Sequence, residues 1–236
     1  MKEESVSVKQ GKKALFYLIV QYQTDKIEAE RTIQMGNGNR GNIMIIKNGL
    51  VFTPEGKFEK KDLYVEGEYV AKETTDNKEV EAEGCYVIPG LVDIHFHGCV
   101  RHDMCDGTEE SIQALADYEA ANGVLAICPA TMTIPEEELF QAMKAAKEHK
   151  NGKGADLVGI NMEGPFINKE KKGAQKEEDI KLADIELFHK LQEAAGGLIK
   201  LVDLAPETEG AMDFIDQVKD EVHVSIAHTM ADYDTA

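Results

Sequence analysis

From Leu91 onward, short apolar runs alternate with longer stretches whose apolar side chains recur at helical spacing. The runs at 91–97, 124–130, 157–163, 199–205 and 222–228 predict strands, and the stretches at 109–122, 136–149, 184–195 and 211–220 predict helices. Strands separated by helices of this length indicate parallel βαβ units. Helix starts are marked locally: Thr108-x-x-Ser111 stands at one amino end, and Pro135 precedes a first turn rich in Glu. The pattern predicts an α/β fold with about five βα units; an eight-stranded barrel needs three more.

Residues 44–84 follow a different pattern. Ile45-Ile46-Lys47-Asn48-Gly49-Leu50-Val51-Phe52, Leu63-Tyr64-Val65 and Tyr69-Val70-Ala71 are separated by the turn signals Pro54-Glu55-Gly56-Lys57 and Glu66-Gly67-Glu68. They predict part of a small β-sandwich, which cannot bury both faces alone and must find partners elsewhere in the chain. Residues 1–43 match neither pattern and end in the glycine- and asparagine-rich tract Met35-Gly36-Asn37-Gly38-Asn39-Arg40-Gly41-Asn42. The expected organisation is an atypical, weakly ordered extension over 1–43, a partial β-sandwich over 44–84 and a partial barrel over 85–236. The natural domain is expected to start near Met44.

Charge narrows the function classes. Forty-four acidic against 26 basic residues give a net charge of −18, which argues against a phosphate-tracking nucleic-acid surface and fits a soluble cytoplasmic protein. An anionic substrate would have to be met by local positive charge. Cys85, Cys99, Cys105 and Cys128 are scattered, as expected of free thiols in a reducing compartment, although Cys99 and Cys105 follow a histidine pair and leave a redox-sensitive thiol as an alternative. The membrane-like stretch Ala14-Leu15-Phe16-Tyr17-Leu18-Ile19-Val20 is far short of the roughly 20 residues that cross a bilayer. No secretory cleavage site follows it, so no membrane partner is expected.

Three strand ends carry candidate chemistry. In Pro89-Gly90-Leu91-Val92-Asp93-Ile94-His95-Phe96-His97-Gly98, the histidines are two apart on a strand and share a face. Two imidazoles on one strand can chelate a divalent metal. A lone His-x-His is more often a surface or packing pair, but the Pro-Gly turn before it and Gly98 after it shift the balance. Asp93 shares the face as a metal ligand, a support for a histidine or a turn cap. Glu163 closes the strand Leu157-Val158-Gly159-Ile160-Asn161-Met162, where a carboxylate must be paired or metal-bound unless it turns to solvent. His228 ends Val222-His223-Val224-Ser225-Ile226-Ala227 and is favoured as a ligand, with His223 on the opposite face. The basic segment Lys169-Glu170-Lys171-Lys172-Gly173-Ala174-Gln175 reads either as a solvated loop or as a substrate-touching one in which Gly173, Ala174 and Gln175 make the contacts. Glu207 is a candidate for the site wall or for a helix start.

These segments, with Pro129-Ala130-Thr131, Met162-Glu163-Gly164-Pro165-Phe166-Ile167-Asn168 and Leu204-Ala205-Pro206-Glu207, resemble the N-acetylglucosamine-6-phosphate deacetylases of the amidohydrolase superfamily. The resemblance covers Met44 to the end. It implies a (β/α)8 TIM-type barrel with a β-sandwich built from both chain ends, and hydrolysis of N-acetylglucosamine 6-phosphate to glucosamine 6-phosphate and acetate. It implies His95, His97, Glu163 and His228 as ligands of one or two divalent ions, zinc or iron. The partner is then a small amino-sugar phosphate, with a homodimer at full length. Gln175 departs from the His common at its position, and Ile226-Ala227 from the usual small pair before the ligand His. The family's general-base Asp, its last metal-binding His and three further strands are expected beyond Ala236, so little activity is expected of these residues alone. The alternatives are another metal-dependent amidohydrolase, or a non-catalytic piece that associates through an open barrel edge.

Overall fold

The computed structural model describes residues 17–21, 44–66, 69–72 and 78–236. They form a mixed α/β chain that divides into two compact units, Met1–Gly90 and Leu91–Ala236.

The first unit is a six-stranded mixed sheet. Its centre is β2 (Met44–Phe52), which pairs antiparallel with β3 (Phe58–Glu66) through the Pro54–Gly56 turn. β3 continues antiparallel to β4 (Tyr69–Ala71). Along its other edge β2 pairs in parallel first with β5 (Glu79–Glu81) and then with β6 (Cys85–Pro89). The alternation seen in the sequence places Ile46, Val51, Leu63, Val65, Ala82, Cys85 and Val87 in one buried cluster. Because β6 belongs to this sheet, the compact unit runs past the boundary expected at residue 84. β1 (Tyr17–Gln21) pairs antiparallel with β6, giving this part of the expected extension a place at the sheet edge. The rest of 1–43, including the glycine–asparagine tract, lies outside the described residues.

In the second unit the strands are parallel and follow chain order. β7 (Leu91–Asp93) is followed, after a short antiparallel hairpin of β8 (Gly98–Cys99) and β9 (His102–Asp103), by β10 (Val124–Ile127). β10 pairs with β7 and with β11 (Asp156–Leu157). β12 (Ile160–Glu163), β13 (Ile199–Leu204) and β14 (His223–Ile226) form a second parallel trio. The run expected as one strand at 157–163 is thus broken at Val158-Gly159. Val158 N donates to Ile127 O, whereas Ile160 N donates to Leu198 O, so the chain changes neighbours within two residues. A Cβ at Gly159 would lie 2.6 Å from Lys200 Cγ and 3.0 Å from Cys128 Sγ, so only glycine fits the crossover unstrained. An Ala130–Asn161 bridge links the two trios.

Helices α1 (Glu109–Ala121), α2 (Glu136–Glu148), α3 (Ile185–Ala194) and α4 (Ala211–Val218) lie between the strands. Thr108 Oγ1 accepts from Ser111 N at 3.1 Å and Asp184 Oδ1 from Glu186 N and Leu187 N, caps worth about 1 kcal/mol each. Asp184 therefore sits just outside the helix expected to contain it. Each helix turns an apolar stripe inward: Ile112, Leu115, Leu139, Met143, Phe188, Leu191, Phe214 and Val218 join Ile127, Ile160, Met162 and Val202 in one core. Among the described residues no helix is long and apolar enough to cross a membrane.

Candidate metal centre

Parallel strands bring their last residues to a common edge, and four of the side chains singled out in the sequence meet there. β7 ends at Asp93, whose Oδ1 accepts from His95 N at 3.0 Å; the aspartate caps the turn. The backbone stays extended, with Ala130 N donating to Phe96 O, so His95 and His97 keep to one face, ring centroids 5.5 Å apart. Glu163 ends β12 and is 6% exposed. His228 follows β14 at φ 48°, an uncommon backbone region for a non-glycine residue and one found repeatedly at functional sites.

Glu163 is the hub. Its Oε1 lies 2.6 Å from His228 Nε2 and accepts from Gln175 Nε2 at 3.0 Å. Its Oε2 lies 3.1 Å from His95 Nε2 and 3.0 Å from His97 Nε2, is buried, and makes no aligned hydrogen bond with either. Burial pushes this carboxyl up, but the His97 and His228 imidazoles, with His95, outweigh it and hold it at about 2. The same contacts act in reverse on the histidines. Glu163 raises His97 against the effect of burial; at His228 burial lowers the pKa, and Glu163 with the Lys171 carbonyl outweighs it.

The far nitrogens are also arranged. His97 Nδ1 faces Ala130 O at 3.3 Å and His228 Nδ1 faces Lys171 O at 2.8 Å. A carbonyl can only accept, and so can an ionised carboxylate, so each of these rings stands between two acceptors; a cation taking Nε2 would leave the ring proton on Nδ1, facing the carbonyl. One ligand atom each from His95, His97 and Glu163 lie within 4.8 Å of one another. Imidazole nitrogens gathered on a buried carboxylate oxygen that lacks an aligned donor fit a divalent cation.

Of the loop residues expected to touch substrate, Gly173 and Ala174 are exposed, with Gly173 beside the His228 ring. Gln175 is buried, its Oε1 accepting from Thr133 N at 2.6 Å while its amide nitrogen holds Glu163. Glu207 does not start a helix; α4 begins after Gly210. Its carboxylate accepts from Asn168 Nδ2, Thr229 Oγ1 and Met230 N, tying together the segments after β12, β13 and β14. Burial raises the Cys99 thiol and takes Cys105 to about 12, which disfavours the thiolate and with it the redox-sensitive alternative.

Two neighbours of the site were not singled out in the sequence. Asn161 Nδ2 lies 3.0 Å from His95 Nδ1, and Asp203 Oδ2 lies 3.6 Å from the same atom. Burial raises the Asp203 carboxyl, opposed by the Ser225 hydroxyl and by His95. A charged residue inside the apolar run Ile199-Lys200-Leu201-Val202-Asp203-Leu204 was the available signal.

Histidines and a glutamate converging at the ends of parallel strands give this α/β chain a candidate metal site. No protein-family model matches the chain. It is 35% identical over 195 residues to N-acetylglucosamine-6-phosphate deacetylase of Bacillus subtilis (strain 168), covering 80% of this chain and 48% of that protein. The Vibrio furnissii enzyme of the same name is 34% identical over 152 residues, covering 63% of this chain and 38% of its own. In fold it matches the crystal structure of the Pasteurella multocida N-acetylglucosamine-6-phosphate deacetylase with a TM-score of 0.72 at 22% identity, over 82% of this chain and 53% of that one. The chain is thus a homologue of the N-acetylglucosamine-6-phosphate deacetylases, and it spans about half the length of the first curated relative it matches.

Proposed function

We propose that this chain supplies the metal-holding part of an N-acetylglucosamine-6-phosphate deacetylase, an enzyme that cleaves the acetamide of the sugar phosphate to give glucosamine 6-phosphate and acetate. The observation that carries the proposal is the convergence of His95, His97 and His228 on the two oxygens of Glu163. In this reading the second unit is part of a (β/α)8 barrel and the first is part of a β-sandwich. The four residues ligate one or two divalent ions, with zinc and iron both suited to a nitrogen and carboxylate set. A homodimer at full length belongs to the same proposal.

Bound there, a divalent ion supplies Lewis acidity for the acetamide carbonyl and for an attacking water. The residues do the rest of the positioning. Gln175, anchored on Thr133 N, fixes the rotation of the Glu163 carboxylate, and the carbonyls of Ala130 and Lys171 fix two imidazole rings. Exposed Lys169 and Lys171 stand on the segment whose backbone holds His228, giving an acidic chain local positive charge near an anionic sugar phosphate. The exposed backbone of Gly173 and Ala174 is available to the same ligand.

The test begins with metal. The chain, dialysed against zinc and then against buffer, should retain the ion, and His97→Ala and Glu163→Ala should lose it. Acetate release from N-acetylglucosamine 6-phosphate, expected to be slow, then tests the reaction: slow release abolished by chelation and by Glu163→Ala supports the assignment, and release indifferent to both contradicts it.

A further inference from the structure

Three imidazoles present Nε2 to Glu163, but their far nitrogens are not treated alike. Those of His97 and His228 meet backbone carbonyls. That of His95 meets two side chains, Asn161 and Asp203, and these favour opposite tautomers. Asn161 Nδ2 also lies 3.2 Å from Ile94 O, to which it donates, so the amide turns its NH2 toward the ring and can only donate. That arrangement puts the ring proton on Nε2, where it blocks metal ligation. An ionised Asp203 can only accept, which puts the proton on Nδ1 and leaves the Nε2 lone pair free.

Asp203 is built into the sheet for such a role. It is 2% exposed and sits in register between Glu163 on β12 and Ser225 on β14. Its Oδ1 has no hydrogen-bond partner, and a buried carboxylate in that state is costly unless another contact compensates. It is not one of the three residues whose ligand atoms cluster within 4.8 Å, and it meets His95 at Nδ1 whereas Glu163 meets Nε2.

We propose that Asp203 is the positioning residue of His95: its carboxylate, 3.6 Å from Nδ1, pairs with a proton on that nitrogen when Nε2 takes a divalent cation held with His97 and Glu163. Backbone carbonyls on two rings and a carboxylate on the third then give all three histidines an acceptor for a proton on the far nitrogen, the state that a cation at Nε2 requires. The proposal rests on the metal-site reading above.

Zinc titration against a competing chelator tests it, using this chain as wild type, Asp203→Asn, His95→Ala and the double variant, with the thermal midpoint of each metal-free form. Asparagine preserves the volume and removes a buried charge, so the metal-free midpoint should not fall. Zinc affinity should drop by about 10–100-fold, the usual cost of losing a group that orients a ligating histidine. In the His95→Ala background the Asp203→Asn change should cost nothing further, because the ring it acts through is gone. Wild-type affinity in Asp203→Asn, or an equal loss with and without His95, overturns the proposal. Should Asp203→Asn weaken the fold, Asp203→Ser decides instead: a loss of zinc affinity that vanishes in the His95→Ala background supports the proposal, and wild-type affinity, or the same loss without His95, overturns it. Failure of the metal site itself looks different. If the wild type takes up no zinc, or His97→Ala and Glu163→Ala bind it as well as wild type, both readings fall. If those two lose zinc while Asp203→Asn does not, only the role of Asp203 falls.

Discussion

The helices of the second unit and the C-terminal ends of its strands bury different things. The helices bury hydrocarbon: Ile112, Leu115, Leu139, Met143, Phe188, Leu191, Phe214 and Val218. The strand ends and the segments just after them bury Thr131, Thr133, Asn161, Glu163, Gln175 and Asp203. Of these, Thr131, Thr133, Asn161, Glu163 and Asp203 each keep a buried oxygen without a hydrogen-bond partner. Hydrocarbon burial is favourable wherever it occurs, whereas unpaired polar burial costs free energy and survives only where something compensates. The helical layer therefore accounts for stability, and the strand ends are where stability is given up for chemistry. Mutations should separate the two.

The largest expected effect lies in the helical layer. Phe214 packs edge-on against Phe166 and Phe188, with ring centroids 5.2 and 5.6 Å away. Phe214→Ala should cost about 3–5 kcal/mol in urea unfolding. The molecules still folded should bind zinc with wild-type stoichiometry; loss of the site in them would break the comparison. Gly164→Ala tests the boundary between the regions. Its φ is 83° and a Cβ there would collide with Thr133 Oγ1. The cost should be about 1–3 kcal/mol, and zinc affinity should fall as well, because Glu163 is the preceding residue. Thr108→Ala removes a helix cap remote from the strand ends and should lower stability by about 1 kcal/mol with no change in zinc affinity. The smallest effect concerns His149, a buried residue at the end of α2 whose ring nitrogens have no partner. Burial lowers its pKa from 6.5, with Glu109 opposing and Lys150 reinforcing. A folded pKa below the unfolded one means the unfolded chain binds more protons, so this contribution is present above pH 6.5 and is lost as pH falls through the folded pKa. Thermal midpoints below pH 6.5 should fall less in His149→Leu than in wild type.

Much of this contrast was legible in the sequence, for reasons that differ by element. Helix starts were, because a cap is local: Thr108 reaches Ser111 and Asp184 reaches Glu186 without help from the rest of the chain. The shared face of His95 and His97 follows from strand geometry alone. The break at Val158-Gly159 was hidden because it depends on Cys128 and Lys200, distant in sequence, packing where a side chain would stand. The β8–β9 hairpin is two residues a side and leaves no alternation to detect. Asn161 and Asp203 were overlooked although each interrupts an apolar run. Which histidine they serve depends on strand order, and strand order is a tertiary fact.

X-ray absorption at the zinc edge of the loaded chain addresses the central claim most directly. A site made by His95, His97, Glu163 and His228 predicts a shell of nitrogen and oxygen only, at about 2.0–2.1 Å, with the outer scattering of imidazole rings. A sulfur shell at about 2.3 Å, or a spectrum unchanged in Glu163→Ala, would mean that the ion is held elsewhere.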